Sequence, residues 1–187
     1  MTLQGGQPWN VIDTGNDTSL TGESGDRWDF FGKTSDFKPV FGGIPFFPDG
    51  TQNPLCVAHA APGSPLSSAG CYQEGNSVMT PPAFGTWGNM HRNMFLGPAL
   101  KIWDLSVVKN WKFGERVTAQ FRGEFFNVLN HPNFANPYGV NFTFGRVDPS
   151  SPGDFGCLCA TPDVADANPV IGTGGPRNVQ LGLKFIF

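Results

Sequence analysis

Charge is scarce in this sequence, and long apolar runs are missing. Only 14% of the 187 residues are charged and the net charge is −3, so the chain has no basic footprint of the kind that binds nucleic acid. No stretch approaches the roughly 18 consecutive apolar residues that a transmembrane helix needs. Gly, Pro and Phe are abundant instead, with 25, 17 and 18 residues. This composition disfavours a helical enzyme and a charged disordered tail, and it is typical of β-strands joined by long loops.

The last twelve residues, 176–187, carry the clearest pattern. One face of a strand there would be wholly apolar, consisting of Val179, Leu181, Leu183, Phe185 and Phe187. The other face would carry Asn178, Gln180, Gly182, Lys184 and Ile186. Alternation with a period of two predicts a β-strand with one apolar face. A strand of this kind that ends on an aromatic residue looks like the closing strand of a bacterial outer-membrane barrel, in which Phe185 and Phe187 would form the terminal assembly signal.

Two further strands are predicted at 99–113 and 116–130, joined by a tight turn at Gly114-Glu115. Trp103 and Trp111 are eight residues apart, which is about 26 Å along a strand and about 20 Å when the strand is tilted by about 40°. That spacing is close to the apolar band of ~25 Å between the aromatic girdles of membrane barrels. We therefore predict a girdle that consists of Trp103, Trp111, Phe113 and Phe125.

The opposite faces of these strands are polar, and they predict a network in the lumen formed by Asp104, Arg122, Glu124 and Lys184. Lys109 is the exception, because its position falls on the apolar face. Two explanations are open. The ammonium group snorkels to the membrane interface, or a bulge at Val107-Val108 shifts the register.

The chain as a whole is predicted to be an all-β, antiparallel transmembrane barrel segment of about four strands. Residues 1–12 are interpreted as the end of a strand, 13–98 as a long extracellular loop region, and 131–175 as a second loop. Short connections on one side and long ones on the other are typical of outer-membrane barrels.

The four cysteines all lie in sequence rich in Gly and Pro. Cys56 and Cys71 are a possible disulfide, whereas Cys157 and Cys159 are either a local bridge or two free thiols. Their spacing does not fit zinc, and His59, His91 and His131 lack the spacing of metal ligands, so no metal site is predicted. Ca²⁺ bound in the 13–26 loop is a minority hypothesis beside ordinary Asx-turns. Aromatic residues between Trp28 and Phe47 form either a ligand platform or the packing of the loop itself.

The sequence resembles the carboxy-terminal barrel segment of TonB-dependent receptors of the Oar-like type. Matching residues are spread over about 85–187. They are Gly88-Asn89, Arg92-Asn93, Gly97-Pro98, Asp104–Ser106, Lys109-Asn110, Glu115-Arg116, Gln120–Asn127, Asn130–Phe134, Phe144-Gly145, Pro176-Arg177, Gln180, Lys184 and Phe187. The block 121–134 is the most specific part, because its order of polar and aromatic residues is not generic barrel patterning.

The resemblance implies uptake of a bulky solute across the bacterial outer membrane. It also implies partners: outer-membrane lipid, the remainder of the barrel with its plug, the barrel-assembly machinery, and TonB through amino-terminal parts. The first residues after Met1 lack the basic and apolar segments of a signal peptide, so we expect a fragment of a longer protein. No catalytic activity and no cofactor are predicted. The alternative is a soluble, secreted β-sandwich that binds glycan through aromatic loops.

Overall fold

The computed structural model describes residues 1–23, 25–137, 146–153, 155–162 and 174–187. The chain divides into two units. The first, here called the strand unit, comprises Met1–Gly5, Ala99–Phe134 and Ala160–Phe187. The second, here called the core unit, comprises Gly6–Pro98 and Ala135–Cys159.

The described residues form short strands and, within the strand unit, three long ones. In chain order the strands are β1 Thr2–Gln4, β2 Pro8–Val11, β3 Asp29–Phe31, β4 Phe46–Phe47, β5 Cys71–Glu74, β6 Ser77–Thr80, β7 Phe95–Leu96, β8 Leu100–Ile102, β9 Leu105–Phe113, β10 Val117–Phe126, β11 Arg146–Val147 and β12 Asn178–Ile186. The helices are a 3-10 turn Gly50–Gln52, α1 Pro54–His59 and α2 Leu66–Ala69. None of the helices among these residues is long and apolar enough to cross a bilayer.

The strand unit contains an antiparallel sheet with the order β12-β10-β9. β9 and β10 form a hairpin whose turn begins at Gly114, where the positive φ of 71° suits glycine. Residue pairs run without interruption from Val117↔Phe113 to Phe125↔Leu105, and β10 pairs with β12 from Thr118↔Ile186 to Phe126↔Asn178. A second, two-stranded sheet pairs β1 with β8.

Strand bounds differ from the predicted ones at the end of the sheet away from the turn. The predicted strand 99–113 is divided into β8 and β9 at Trp103-Asp104, and the predicted strand 116–130 ends at Phe126. The cause lies at Asn127, whose φ of 49° ends the extended conformation. Continued beyond Phe126, the register of the hairpin would place Val128 opposite Ile102. Val128 N instead donates to the carbonyl of Trp103 at 2.8 Å. Pairing therefore shifts by one residue beyond Phe126.

The core unit replaces most of the long loop region that the sequence predicted for 13–98. It contains a four-stranded sheet with the order β3-β6-β5-β4 and a three-stranded sheet with the order β11-β2-β7. Buried aromatic and aliphatic side chains from both sheets form one cluster: Trp9, Val11, Trp28, Phe30, Phe37, Ile44, Tyr72, Met79, Met90, Phe95, Val147 and Phe155. A core of this size explains why 13–98 can be ordered although its strands are too short to show a period.

Helix α1 begins with local features that the sequence carries. The side-chain oxygen of Asn53 accepts hydrogen bonds from the backbone nitrogens of Leu55 and Cys56, and Pro54 takes the first helical position. Cys56 of α1 is bonded to Cys71 of β5, and both side chains are fully buried. The disulfide thus holds the helix against the four-stranded sheet. A second disulfide joins Cys157 to Cys159, with 5.2 Å between the Cα atoms.

The predicted strand 1–12 is divided between the two units. Thr2–Gln4 pairs with β8, whereas Pro8–Val11 pairs with β7 and β11. Gly5-Gly6 lies between the two segments, and the carbonyl of Gly97 lies so close to Gly6 that a Cβ atom there would overlap it. The divided strand therefore depends on glycine at position 6.

Candidate functional site

The three-stranded sheet has one apolar face, which is the candidate site. Five rows of side chains across β9, β10 and β12 follow from the register. Starting nearest the turn they are Phe113–Val117, Trp111–Ala119–Phe185, Lys109–Phe121–Leu183, Val107–Gly123–Leu181 and Leu105–Phe125–Val179. Apart from Lys109, these rows contain no polar side chain.

Most of the apolar face is open to the surroundings. In β9 and β12 every residue is exposed, and Leu181 retains 65% of its accessible surface. The central strand β10 is more covered. Ala119, which lies between Trp111 and Phe185 in its row, is only 5% exposed. Gly123 is also buried, and the other residues of this face in β10 are half-buried. A contiguous apolar surface of this extent on a folded sheet marks a contact with another protein or with lipid.

The length of the strands favours lipid over another protein as the contact of the apolar face. β9 and β12 have nine residues each and β10 has ten, which is the length at which tilted strands cross the hydrocarbon of a bilayer. β9 and β12 both run toward the end of the sheet that carries the Gly114 turn. The chain therefore enters β9, leaves β10 and enters β12 at the other end, so the connection from β10 to β12 is attached there, away from the short turn at Gly114.

Lys109 lies on the apolar face, opposite Phe121. Because the pairing is continuous through Val107 and Val108, the structure contains no bulge there, and the explanation by a shifted register is wrong. Two rows separate Lys109 from the turn end of the sheet, so a long side chain can reach a polar membrane interface on that side.

The opposite face of the sheet carries the polar residues. Arg122 Nη2 lies 2.5 Å from Glu124 Oε1, which makes the one ion pair among the described residues. Gln120 Nε2 donates to Asn110 Oδ1 at 3.0 Å across the hairpin. Lys184 lies opposite Gln120 in the register. The structure thus brings together Arg122 and Glu124 from the predicted lumen network and places Lys184 on the same face.

Asp104 lies between β8 and β9. Its Oδ1 accepts a hydrogen bond from the backbone nitrogen of Asn127 at 2.9 Å, so it secures the residue at which β10 ends. The predicted girdle residues fall at both ends of the apolar face. Trp111 and Phe113 lie near the turn and Phe125 lies in the last row. Trp103 lies outside β9 and is 45% exposed.

A cluster of three asparagines, Asn127, Asn130 and Asn133, ties together the chain segments at the far end of the sheet. Asn127 Nδ2 donates to the carbonyls of His131 and Gly175, both at 3.0 Å. Asn130 Oδ1 accepts from Arg177 N at 3.2 Å, just before β12. Asn133, fully buried, accepts from Lys101 N in β8 at 2.8 Å. Sequence reasoning noted the block that contains them but missed this role, although their spacing of three residues was visible.

The three aspartates of the 13–26 loop accept hydrogen bonds from the chain itself. Asp13 Oδ1 accepts from the backbone nitrogens of Gly15 and Asn16, both at 2.9 Å, and Asp13 Oδ2 accepts from Trp28 Nε1 at 2.8 Å. This is the geometry of an Asx-turn. The side-chain oxygens of exposed Asp17 accept from Gly22 N, Thr21 N and Ser19 Oγ, which lowers the pKa of its carboxyl group. Among the described residues no group of three or more His, Cys, Asp or Glu side chains is arranged to hold a metal ion.

Tyr72 links distant segments at the centre of the core unit. Its hydroxyl donates to the carbonyl of Pro149 at 2.6 Å, and its ring lies 4.2 Å from that of Phe155 between centroids. Burial, followed by the negative charges of Asp148 and Asp13, raises the pKa of this hydroxyl far above its ordinary value. The group is therefore a permanent donor at neutral pH.

The seven aromatic residues between Trp28 and Phe47 serve mainly as packing. Trp28 and Phe37 are fully buried and Phe30 nearly so, while Phe31, Phe46 and Phe47 are half-buried. Phe41 is the one of the seven that is largely exposed, at 73%. Of the two interpretations of these aromatics, the structure thus favours loop packing over a ligand platform.

Strands of spanning length with an exposed apolar face and a polar opposite face define the class of outer-membrane β-strand proteins. The family model described as "Outer membrane beta barrel domain" matches residues 1–179. The chain belongs to this family and is located in the bacterial outer membrane. This membership excludes the soluble glycan-binding sandwich. Searches of curated proteins and of solved structures give no match.

Proposed function

We propose that this chain is the carboxy-terminal barrel segment of a TonB-dependent receptor of the Oar-like type, which takes up a bulky solute. The observation that supports the proposal most directly is the asparagine cluster. It lies within the block 121–134, where the resemblance to these receptors is most specific. Asn127 and Asn130 bond the segment just before β12, and Asn133 bonds β8. In this proposal the resemblance reflects a shared way of joining strands to large connections.

A second observation is the size of what is inserted between strands. Residues 6–98 lie between β1 and β8, and they contribute most of a core unit with its own hydrophobic cluster. Outer-membrane barrels have short periplasmic turns and longer extracellular connections. We propose that this unit lies outside the cell and takes part in solute recognition.

The sheet needs further strands to function. β9 and β12 are its edges, and an unpaired strand edge in lipid leaves backbone N–H and C=O groups without partners at a cost of several kcal/mol each. We propose that strands of the same receptor complete the barrel around a plug, that the barrel-assembly machinery inserts it, and that TonB acts on an amino-terminal part. The segment itself carries out no catalysis.

Uptake can be tested without specifying the solute. Three strains of the native host are compared: wild type, a deletion of this gene, and a deletion of tonB. Mass spectrometry of the spent medium then identifies the solutes that each strain removes. The proposal requires at least one solute that wild type depletes and both deletion strains leave in the medium.

Complementation gives the matched control. The gene deletion is complemented with wild type or with Asn133→Ala, which removes the acceptor for Lys101 N. We expect Asn133→Ala to lower both receptor abundance and depletion. A solute whose depletion needs this gene but persists without tonB would show a passive channel and would overturn the TonB-dependent function.

A further inference from the structure

The core unit contains a polar cleft of about 370 Å³ that is separate from the apolar face. Three chain segments form it: residues 10–12 at the end of β2, Gly25 with Arg27, and residues 91–93. Apart from Val11 and Ile12, the lining is made of side chains and backbone that can donate hydrogen bonds.

The cleft contains two positively charged side chains. Arg27 and Arg92 both line the cleft, and neither makes an ion pair in the part of the chain that the structure describes. Asp26 precedes Arg27 in sequence, but its side chain is only 1% exposed and its Oδ2 accepts from Thr18 Oγ1 and Ser19 N. The local chain thus directs the acid inward and the guanidinium toward the cleft.

The donors are held in place by the fold. Arg27 Nη1 donates to the carbonyl of Met90 at 3.3 Å, which fixes its guanidinium beside residues 91–93. Asn10 Oδ1 accepts from Asn93 N at 2.6 Å, so the amide of Asn10 presents its Nδ2 group as a remaining donor. Asn93 has a φ of 62°, a conformation that asparagine tolerates well, and it closes this side of the cleft.

A cleft with two guanidinium groups outside any ion pair of the described residues, an imidazole and a side-chain amide donor matches a ligand that only accepts hydrogen bonds. Arginine presents a planar fork of N–H groups that fits the two oxygens of a carboxylate or phosphate group. We propose that this cleft binds the carboxylate or phosphate group of a small, water-soluble anionic solute. The site would be present whether or not the protein depends on TonB.

The experiment uses the full chain folded in micelles of a neutral detergent at low ionic strength. Isothermal titration calorimetry is performed with citrate, with inorganic phosphate, and with glucose as the neutral probe. We expect saturable binding of at least one of the two anions at one site per chain and no heat of binding with glucose. No saturable binding of either anion at millimolar concentration would overturn the proposal.

Matched variants remove equal charge inside and outside the cleft. Arg27→Gln/Arg92→Gln should weaken anion binding by about tenfold or more, because hydrogen bonds to charged groups are lost. Lys33→Gln/Lys38→Gln removes two exposed cations of the same unit that do not line the cleft, and it should leave the affinity within about twofold. An equal loss in both double variants would show nonspecific attraction and would contradict the site.

Arg92→Gln alone keeps the test valid if the double variant fails to fold. Arg92 is exposed, and its side chain has no hydrogen bond or ion pair to any other described residue, so its replacement should not disturb the core unit. We expect clearly weaker anion binding for Arg92→Gln and near wild-type binding for Arg92→Lys.

In a last experiment the wild-type protein is titrated with mixed micelles that contain phosphatidylglycerol. Binding of this lipid by the cleft, with none of citrate or phosphate, would overturn the assignment to a soluble solute.

Discussion

The strand unit and the core unit use similar apolar residues in opposite ways. Phe185 in β12 is 53% exposed, whereas Phe95 in β7 is 1% exposed. Phe95 lies 4.7 Å from Trp9 and 5.1 Å from Phe30 between ring centroids, while Phe185 lies on an edge strand whose residues are all exposed. The difference shows that the core unit carries its own hydrophobic core, whereas the strand unit leaves apolar side chains exposed, as strands of outer-membrane barrels do.

The largest expected effect comes from truncating a buried side chain of the core unit. Phe95→Ala should destabilise the core unit by about 3–5 kcal/mol, because it removes transfer free energy and leaves a cavity in the aromatic cluster. Hydrogen exchange of the full chain in detergent, resolved by peptide, measures the change. Phe185→Ala is the matched control, and it should leave exchange in the core unit unchanged. If both variants loosen the core unit equally, the division into two kinds of apolar surface is wrong.

A charged residue introduced on the apolar face of the strand unit tests whether that face contacts lipid. Leu181→Arg should oppose transfer to lipid by about 2–4 kcal/mol, the cost of arginine near the middle of a membrane strand. Flotation with phosphatidylcholine vesicles should show binding at least about 30-fold weaker than wild type.

Gln180→Arg places the same side chain one residue away, on the polar face of β12. Its vesicle binding should stay close to that of wild type. Similar losses for the two variants would argue that neither face of the sheet contacts lipid.

Removing the Cys56–Cys71 disulfide should weaken the core unit alone. The bond spans 15 residues in sequence, and a cross-link of this length contributes about 3 kcal/mol by restricting the unfolded chain. Cys56→Ala/Cys71→Ala is therefore expected to speed exchange in the core unit.

Cys157→Ala/Cys159→Ala is the comparison within the same unit. Its cysteines are two residues apart, so the same relation gives about 1 kcal/mol. A larger effect for this pair than for Cys56–Cys71 would contradict the expected dependence on loop length.

Tyr72→Phe should have the smallest effect at neutral pH, about 1 kcal/mol for the lost hydrogen bond to Pro149. Its pKa is raised in the folded chain above the ordinary 10.0. The contribution of the neutral hydroxyl is therefore complete below that ordinary value, and it is lost as the pH rises above it, because only the unfolded chain ionises readily.

Alkaline unfolding followed by near-ultraviolet circular dichroism measures this dependence. Wild type should lose stability above about pH 10 more steeply than Tyr72→Phe. Parallel curves for the two proteins would show that Tyr72 does not control the alkaline transition of the core unit.

The sequence predicted the strand unit well, because its long strands alternate with a period of two. β9, β10 and β12 all lie within the predicted ranges, and the turn falls at the expected Gly114. The ends of these strands were not predictable in the same way. They depend on Asn127 and on bonds such as that from Lys101 N to Asn133, whose partners are 32 residues apart.

The core unit could not be predicted, because its strands have only two to four residues and show no period. Contacts between distant residues organise the core unit. One of them is the hydrogen bond from the Tyr72 hydroxyl to the carbonyl of Pro149, 77 residues away in sequence. The polar cleft depends on the same kind of contact, since its Asn10 and Asn93 come together across 83 residues.

By itself the sequence determined the class of this protein, because alternation along a strand places each side chain on a face and thereby selects lipid or water as its surroundings. Tertiary structure decided which other apolar residues are buried. It also decided where the strands end, how Lys109 is placed, and which cations share a cleft. These features depend on pairs of residues far apart in the chain, and only closure of the intervening loops brings such pairs within reach of each other.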